Sequence, residues 1–340
     1  MAKKRATIFQ YAFFLGLGIF LIVWSLKGLT ADDKAQISRA LSKGNFGLIL
    51  PGLAIIILSH WLRAIRWRLI IQPLGYSPSR LNTFFAVMVG YLANQAVPRL
   101  GEVLRCSTLT RYEKIPFDKL IGTVILERLV DTITLAAVFV IALLLQPHLY
   151  QTILTTFFPA QQGGKESNLL FYLLIGIAAF VVAIILWLFI TKKKFSDLLA
   201  LLKKIVLHVW QGFSAIRALK RRWEFVILSI AIWALYAASV YIGFLMLEET
   251  QAYGIKEALT VLCAGTLAMA ATPGGIGAYA FLVQKTMTLY DLNTGVGLAL
   301  GWLLWLLQVI VVLVVGGLSL TGLPIYNKNK TPDAVETATE

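Results

Sequence analysis

The sequence predicts an all-α fold: a polytopic integral membrane protein of inverted repeats, with about six full transmembrane helices and two re-entrant hairpins, or alternatively about eight full spans. Three observations predict it. Hydrophobic residues make up 58% of the 340 residues and charged ones 14%, with a mean hydropathy of +0.77, which is more apolar surface than a soluble core can use. The apolar residues gather into blocks near the roughly 20 residues that a helix needs to cross about 30 Å of hydrocarbon. Charges cluster in short stretches between the blocks, and two of the blocks run into proline and glycine.

Taken in order, the blocks that suit a full crossing are residues 8–26, 46–61, 120–145, 169–190, 225–247 and 295–318. The first follows Lys3, Lys4 and Arg5, but it is too long for a signal-peptide core and has no clean small-residue cleavage site, so it is expected to stay as a span. Two further apolar stretches break where a helix would have to continue. Residues 81–97 run into Pro98-Arg99-Leu100-Gly101-Glu102, and residues 259–271 into Thr272-Pro273-Gly274-Gly275-Ile276-Gly277.

Loop charge sets the expected threading. Residues 191–224 carry nine basic and two acidic side chains and are expected in the cytoplasm, whereas 147–168 and 248–257 carry one lysine each and are expected outside. With the N-terminus inside, residues 63–80 with four arginines fall inside as well. Arg99, Arg105, Arg111, Lys114 and Lys119 also belong inside, which requires the Pro98 segment to enter and leave on one face. The Pro273 segment must then do the same from the other face. The expected organisation is a first repeat at 1–145, an external loop at 146–168, a second repeat at 169–320 that includes the basic loop 191–224, and a polar cytoplasmic tail at 321–340. Within the basic loop, Leu198, Leu202, Ile205, Val209, Phe213 and Ile216 recur at helical spacing, predicting an amphipathic helix on the cytoplasmic leaflet.

Several function classes are disfavoured. The net charge of +14 sits in loop clusters, the pattern of cytoplasmic loops rather than of a nucleic-acid surface. Cys106, Cys263, His60, His148 and His208 are scattered, so neither a disulfide framework, a metal site nor another cofactor is implied. No His-Glu-x-x-His or Gly-x-Ser-x-Gly string lies on a span, so enzymatic activity is not expected.

The candidate site residues are the polar groups at membrane depth. A charge within a span costs roughly 2.5 to 3.5 kcal/mol on insertion scales, so it faces a cavity or a partner. Glu127 and Asp131 share a helix face at i, i+4, and Arg128 reaches Asp131 at i, i+3. This cluster is a candidate proton-dependent element or, alternatively, an ion-pair network joining helices. At the first break, Asn94, Arg99, Glu102 and Arg105 concentrate where a broken helix exposes N–H groups, and an arginine can fork two hydrogen bonds to phosphate. Arg99 and Arg105 are the phosphate candidates, with topology anchoring as the plainer reading. Pro273, Gly274, Gly275 and Gly277 let backbone approach backbone or ligand. Trp61, Arg63, Arg66, Trp67 and Arg68 read as an aromatic and basic interface belt, with headgroup capture as the sharper option.

These motifs in this order, Asn94 with Pro98-Arg99-Leu100-Gly101-Glu102 and Arg105, then Glu127-Arg128 with Asp131, then Pro273-Gly274-Gly275-Ile276-Gly277, resemble the lysylphosphatidylglycerol synthase transmembrane-region family of flippase-like proteins over nearly the whole chain. The resemblance implies movement of phospholipids or other polar-headed lipids between leaflets of the cell membrane, without the soluble synthase domain. It implies membrane lipids with anionic or zwitterionic headgroups as partners, and a lipid-modifying enzyme as a further one. Two alternatives are a non-transporting partner of such an enzyme and a membrane-embedded transferase or hydrolase. One departure is Ala280, which stands where the family often has an acid three positions after the last glycine.

Overall fold

The computed structural model describes residues 16–97, 99–146 and 219–328. The expected span at 169–190, the loop at 147–168, the amphipathic helix at 198–216, the start of the first span and Pro98 lie outside the described residues. The contacts below fall within one compact unit, Met1–Ala142 with Leu219–Glu340; the second unit, Leu143–Ala218, contributes only the last residues of one helix and Gln146.

All regular structure among the described residues is helical. The helices are α1 (Gly16–Lys27), α2 (Ala31–Ser42), α3 (Ile49–Ile71), α4 (Arg80–Ala96), α5 (Leu100–Glu113), α6 (Phe117–Leu145), α7 (Arg222–Met246), α8 (Ile255–Ala271), α9 (Ala278–Thr288) and α10 (Thr294–Asn327). Four segments are long and apolar enough to cross a bilayer: Phe46–Leu74, Phe117–Leu145, Arg222–Met246 and Thr294–Asn327. They coincide with four of the expected spans. The protein is therefore an all-α, multi-pass membrane protein.

Two boundaries and one helix differ from expectation. The second span does not stop at Trp61 but continues as α3 to Ile71, so Arg63, Arg66 and Arg68 are helical rather than loop residues. Two of those arginines have buried carboxylate partners, which removes the reason for the chain to leave the membrane there. The expected polar tail at 321–340 begins later, because α10 runs through Pro324 to Asn327. Asn327 and Asn82 exchange side-chain amide hydrogen bonds of 2.9 and 2.8 Å, fixing that last turn. The helix α2 was not anticipated. Its start is closed by a capping box, in which Thr30 Oγ1 accepts from Asp33 N at 3.1 Å while Thr30 N donates to Asp33 Oδ2 at 2.9 Å.

Contacts sort the helix ends into two groups. At one end, Asn45 N donates to Met246 O (2.8 Å), Lys43 pairs with Glu248 (3.1 Å) and Asn293 Nδ2 donates to Asp33 Oδ1 (3.0 Å). At the other, Arg68 Nε donates to Pro78 O (2.7 Å), and the Ser79 hydroxyl lies 3.1 Å from that of Tyr326. The helices α4 and α5 form a hairpin that returns to the second group, since Glu113 Oε1 accepts from Ser79 N (3.0 Å) and Asn82 Nδ2 (2.6 Å). The helices α8 and α9 return to the first group, where Tyr253 Oη donates to Tyr290 O at 2.9 Å.

The two breaks share a local cause. A residue before proline is pushed out of the helical region; Val97 (φ −136°, ψ 118°) and Thr272 (φ −133°, ψ 154°) are accordingly extended. The chain then re-enters helix through left-handed backbone, at Arg99 (φ 66°) in the first hairpin and at Gly274, Gly275 and Gly277 (φ 58°, 72° and 72°) in the second. Close packing of α4 on α5 needs Gly90, since a Cβ there would stand 2.9 Å from Gly101 O.

Candidate functional site: a buried ionic cluster beside a broken helix

Three helices bring charged side chains together, and a fourth adds neutral hydroxyls. From α3, Arg63 and Arg66 lie one turn apart on the same face; α5 supplies Arg105, α6 supplies Glu127 and Asp131, and α7 supplies Tyr236 and Ser229. Glu127 is fully buried. Its Oε1 lies 2.8 Å from Arg63 Nη1 and 3.5 Å from Arg66 Nη2, and its Oε2 lies 2.9 Å from Arg105 Nη1. Asp131 accepts from Arg63 Nη1 at 2.7 Å and from Arg66 Nη2 at 2.6 Å.

Neutral groups complete the arrangement. Tyr236 Oη accepts from Arg63 Nε and Nη2 at 3.3 and 3.2 Å, and Ser229 Oγ accepts from Arg66 Nη1 at 3.3 Å. The Arg105 guanidinium lies 4.7 Å from the centroid of the Trp67 ring, and the indole N–H donates to Thr123 Oγ1 at 2.8 Å. Three guanidinium groups thus face two carboxylates, leaving one positive charge in surplus inside the protein. Arg105 is 3% exposed, and its Nε and Nη2 have no hydrogen-bond partner among the described residues.

Several sequence-based expectations need correction. Arg128 does not pair with Asp131; it reaches across to Glu102 (Nη2 to Oε1, 2.9 Å), because Asp131 is already bound by Arg63 and Arg66. The charge balance around Glu127 and Asp131 is therefore net positive. Asn94 is not a free polar group either: its Oδ1 accepts from Gly101 N at 2.7 Å, capping the broken helix α5. The belt reading fails for Arg63, Arg66 and Trp67, which are 5%, 0% and 0% exposed.

Sequence reasoning missed Arg63 and Arg66 as cluster members. Their i, i+3 spacing, matched to the i, i+4 spacing of Glu127 and Asp131, was the available signal. Arg99 is exposed, holds left-handed backbone at the start of α5 and, among the described residues, has no hydrogen bond or ion pair to the cluster.

The second motif lies elsewhere. Pro273, Gly274 and Gly275 are buried at the tip of the α8–α9 hairpin, where Gly274 O accepts from Trp305 Nε1 at 2.8 Å. A side chain at Gly274 would collide with the Gln95 amide near the end of α4, and one at Gly277 with the Gly18 carbonyl of α1. These glycines therefore serve close approach of backbone and bring the second hairpin tip against the first hairpin. Ala280 is 2% exposed, and a Cβ on Gly301 would stand 2.7 Å from its Cα.

No solved structure matches the chain. Two curated proteins are similar over part of it. The UPF0104 membrane protein MJ1595 of Methanocaldococcus jannaschii is 31% identical over 116 residues, 33% of this chain and 34% of that protein. The glycosyltransferase AglD of Haloferax volcanii is 26% identical over 121 residues, 35% of this chain and 19% of that protein. The similarity thus spans about a third and a fifth of those proteins' lengths. A much longer stretch, residues 8–316, matches the family described as Lysylphosphatidylglycerol synthase TM region, carrying both hairpins and the ionic cluster, and the chain belongs to that family.

Proposed function

We propose that the protein moves a phospholipid or related polar-headed lipid between the leaflets of the cell membrane. In this reading it acts without catalysis, with both termini in the cytoplasm and 248–257 outside. The hairpins are re-entrant and belong to inverted repeats. Their helices, of 17, 14, 17 and 11 residues, are about 25, 21, 25 and 16 Å long, short of the roughly 30 Å hydrocarbon layer. Discontinuous helices that meet at depth from opposite faces are a recurrent transporter architecture.

The observation that carries the reading is Arg105: a buried guanidinium with an unused N–H edge, in a cluster with surplus positive charge, on a hairpin that begins and ends on one side. An anionic phosphate suits that edge. The test is a leaflet-resolved assay in liposomes holding only this protein and a fluorescent phospholipid. Arg105→Ala and Arg99→Ala are expected to abolish lipid movement with the protein still inserted, and the lysine variants to restore part of it. Normal movement in both alanine variants would place headgroup recognition elsewhere.

The similarity to a chain named a glycosyltransferase favours a second reading, a membrane part or partner of a lipid-modifying enzyme. Under that reading, purified protein transfers label from a donor or enhances an enzyme that does, and moves no lipid alone.

A further inference from the structure

Two ion pairs of opposite polarity bridge α5 and α6. In the deeper one Arg105 of α5 meets Glu127 of α6 at 2.9 Å; in the outer one Glu102 of α5 meets Arg128 of α6 at 2.9 Å. Glu102 and Arg105 stand three residues apart and so lie on neighbouring positions of one helix face. Each leaves part of its charged group unused. Arg105 commits Nη1 to Glu127 while Nε and Nη2 lack a partner, and Glu102 commits Oε1 to Arg128 while the buried Oε2 lacks one. Nε and Nη2 form the side edge of the guanidinium, where two N–H bonds point the same way and match two oxygens of one phosphate. The guanidinium carbon lies 4.7 Å from the centroid of the Trp67 ring, and the Nε–Nη2 edge is buried without a hydrogen-bond partner among the described residues. Buried polar atoms are seldom left unpaired, so a donor fork and an acceptor on one helix face describe a ligand with both charges.

We propose that this face of α5 is the headgroup site for a zwitterionic phospholipid, with the phosphate on the Arg105 Nε–Nη2 edge and the ammonium on Glu102 Oε2. The proposal rests on the transport reading for bringing lipid to this face, but the choice of headgroup follows from the two side chains. The phosphate meets the surplus positive charge of the cluster. The ammonium shares the Glu102 carboxylate with Arg128, and a glycerol headgroup offers that oxygen only neutral hydroxyl donors, which lack the charge–charge attraction of an ammonium.

The test is direct binding to the purified full-length protein in detergent, by competition titration with three lipids. These are dioleoylphosphatidylethanolamine, its N-acetyl derivative, which keeps the phosphate and loses the ammonium, and dioleoylphosphatidylglycerol. The ethanolamine lipid is expected to bind about tenfold more tightly than either of the others. Glu102→Gln is expected to bring the three within about twofold, and Arg105→Lys to weaken all of them. Equal binding of the three lipids by the wild type overturns the assignment without recourse to any variant, as does a Glu102→Gln protein that keeps the tenfold preference. Selective binding without movement in liposomes overturns the transport reading and leaves the headgroup assignment standing. Movement without headgroup preference does the reverse.

Discussion

Glu127→Gln keeps the size of the side chain and removes one charge from the centre of the cluster. In the wild type both carboxylate oxygens are within ion-pair distance of guanidinium groups, 2.8 and 3.5 Å on Oε1 and 2.9 Å on Oε2, with the side chain fully buried. After the substitution Arg63 and Arg66 retain Asp131, but Arg105 loses its ionic partner while still buried. Breaking a buried pair from one side costs about 3–5 kcal/mol, because the remaining charge is stranded. At a few degrees per kcal/mol, that corresponds to roughly 6–15 °C in the unfolding midpoint of the detergent-solubilised protein. Adding Arg105→Met removes the stranded charge, so the double variant is expected to regain stability, with a coupling energy of about 1–3 kcal/mol in a double-mutant cycle. A Glu127→Gln protein within about 0.5 kcal/mol of wild type, with no coupling to Arg105→Met, would refute the claim that this cluster holds α6 to α3 and α5.

Arg128→Gln is expected to cost less than about 1 kcal/mol in the same unfolding measurement, since its pair with Glu102 is partly exposed (44% and 23%) and screened. Gly277→Ala is expected to lower folded yield severely, because φ of 72° and the Gly18 carbonyl both oppose a Cβ; yield by fluorescence-detected gel filtration checks it, and wild-type yield would count against the hairpin-tip packing. Single cysteines at Glu249 and Asp291 are expected to label from outside and those at Tyr112 and Lys328 only after permeabilisation; external labelling at Tyr112 would favour full spans over a re-entrant first hairpin. Asp33 is held below the ordinary carboxylate range, first by the Thr30 backbone N–H and then by its hydroxyl. Its contribution to the start of α2 is therefore present at neutral pH and lost as pH falls below the usual aspartate value, so hydrogen exchange in α2 should rise at acid pH in wild type and be already raised at pH 7 in Asp33→Asn.

What the sequence by itself determined is local. Hydropathy over 20 residues or so marks a span wherever it folds, which is why four described spans fall where apolar blocks predict them. Proline constrains its own neighbour, so the breaks after Val97 and Thr272 were legible too. Tertiary structure decided which charges meet. Arg63 and Glu127 are 64 residues apart, and helix periodicity, which relates a side chain only to those three or four positions away, pointed Asp131 to Arg128 instead. An arginine after an apolar, tryptophan-bearing run looks the same in sequence whether it anchors an interface or turns inward. Arg66 is fully buried and Arg68 is not: carboxylates on another helix pair with the first, whereas the second donates to the Pro78 carbonyl at the helix end. Burying a guanidinium is tolerable only against such partners, and their positions are set by the packing of the whole bundle.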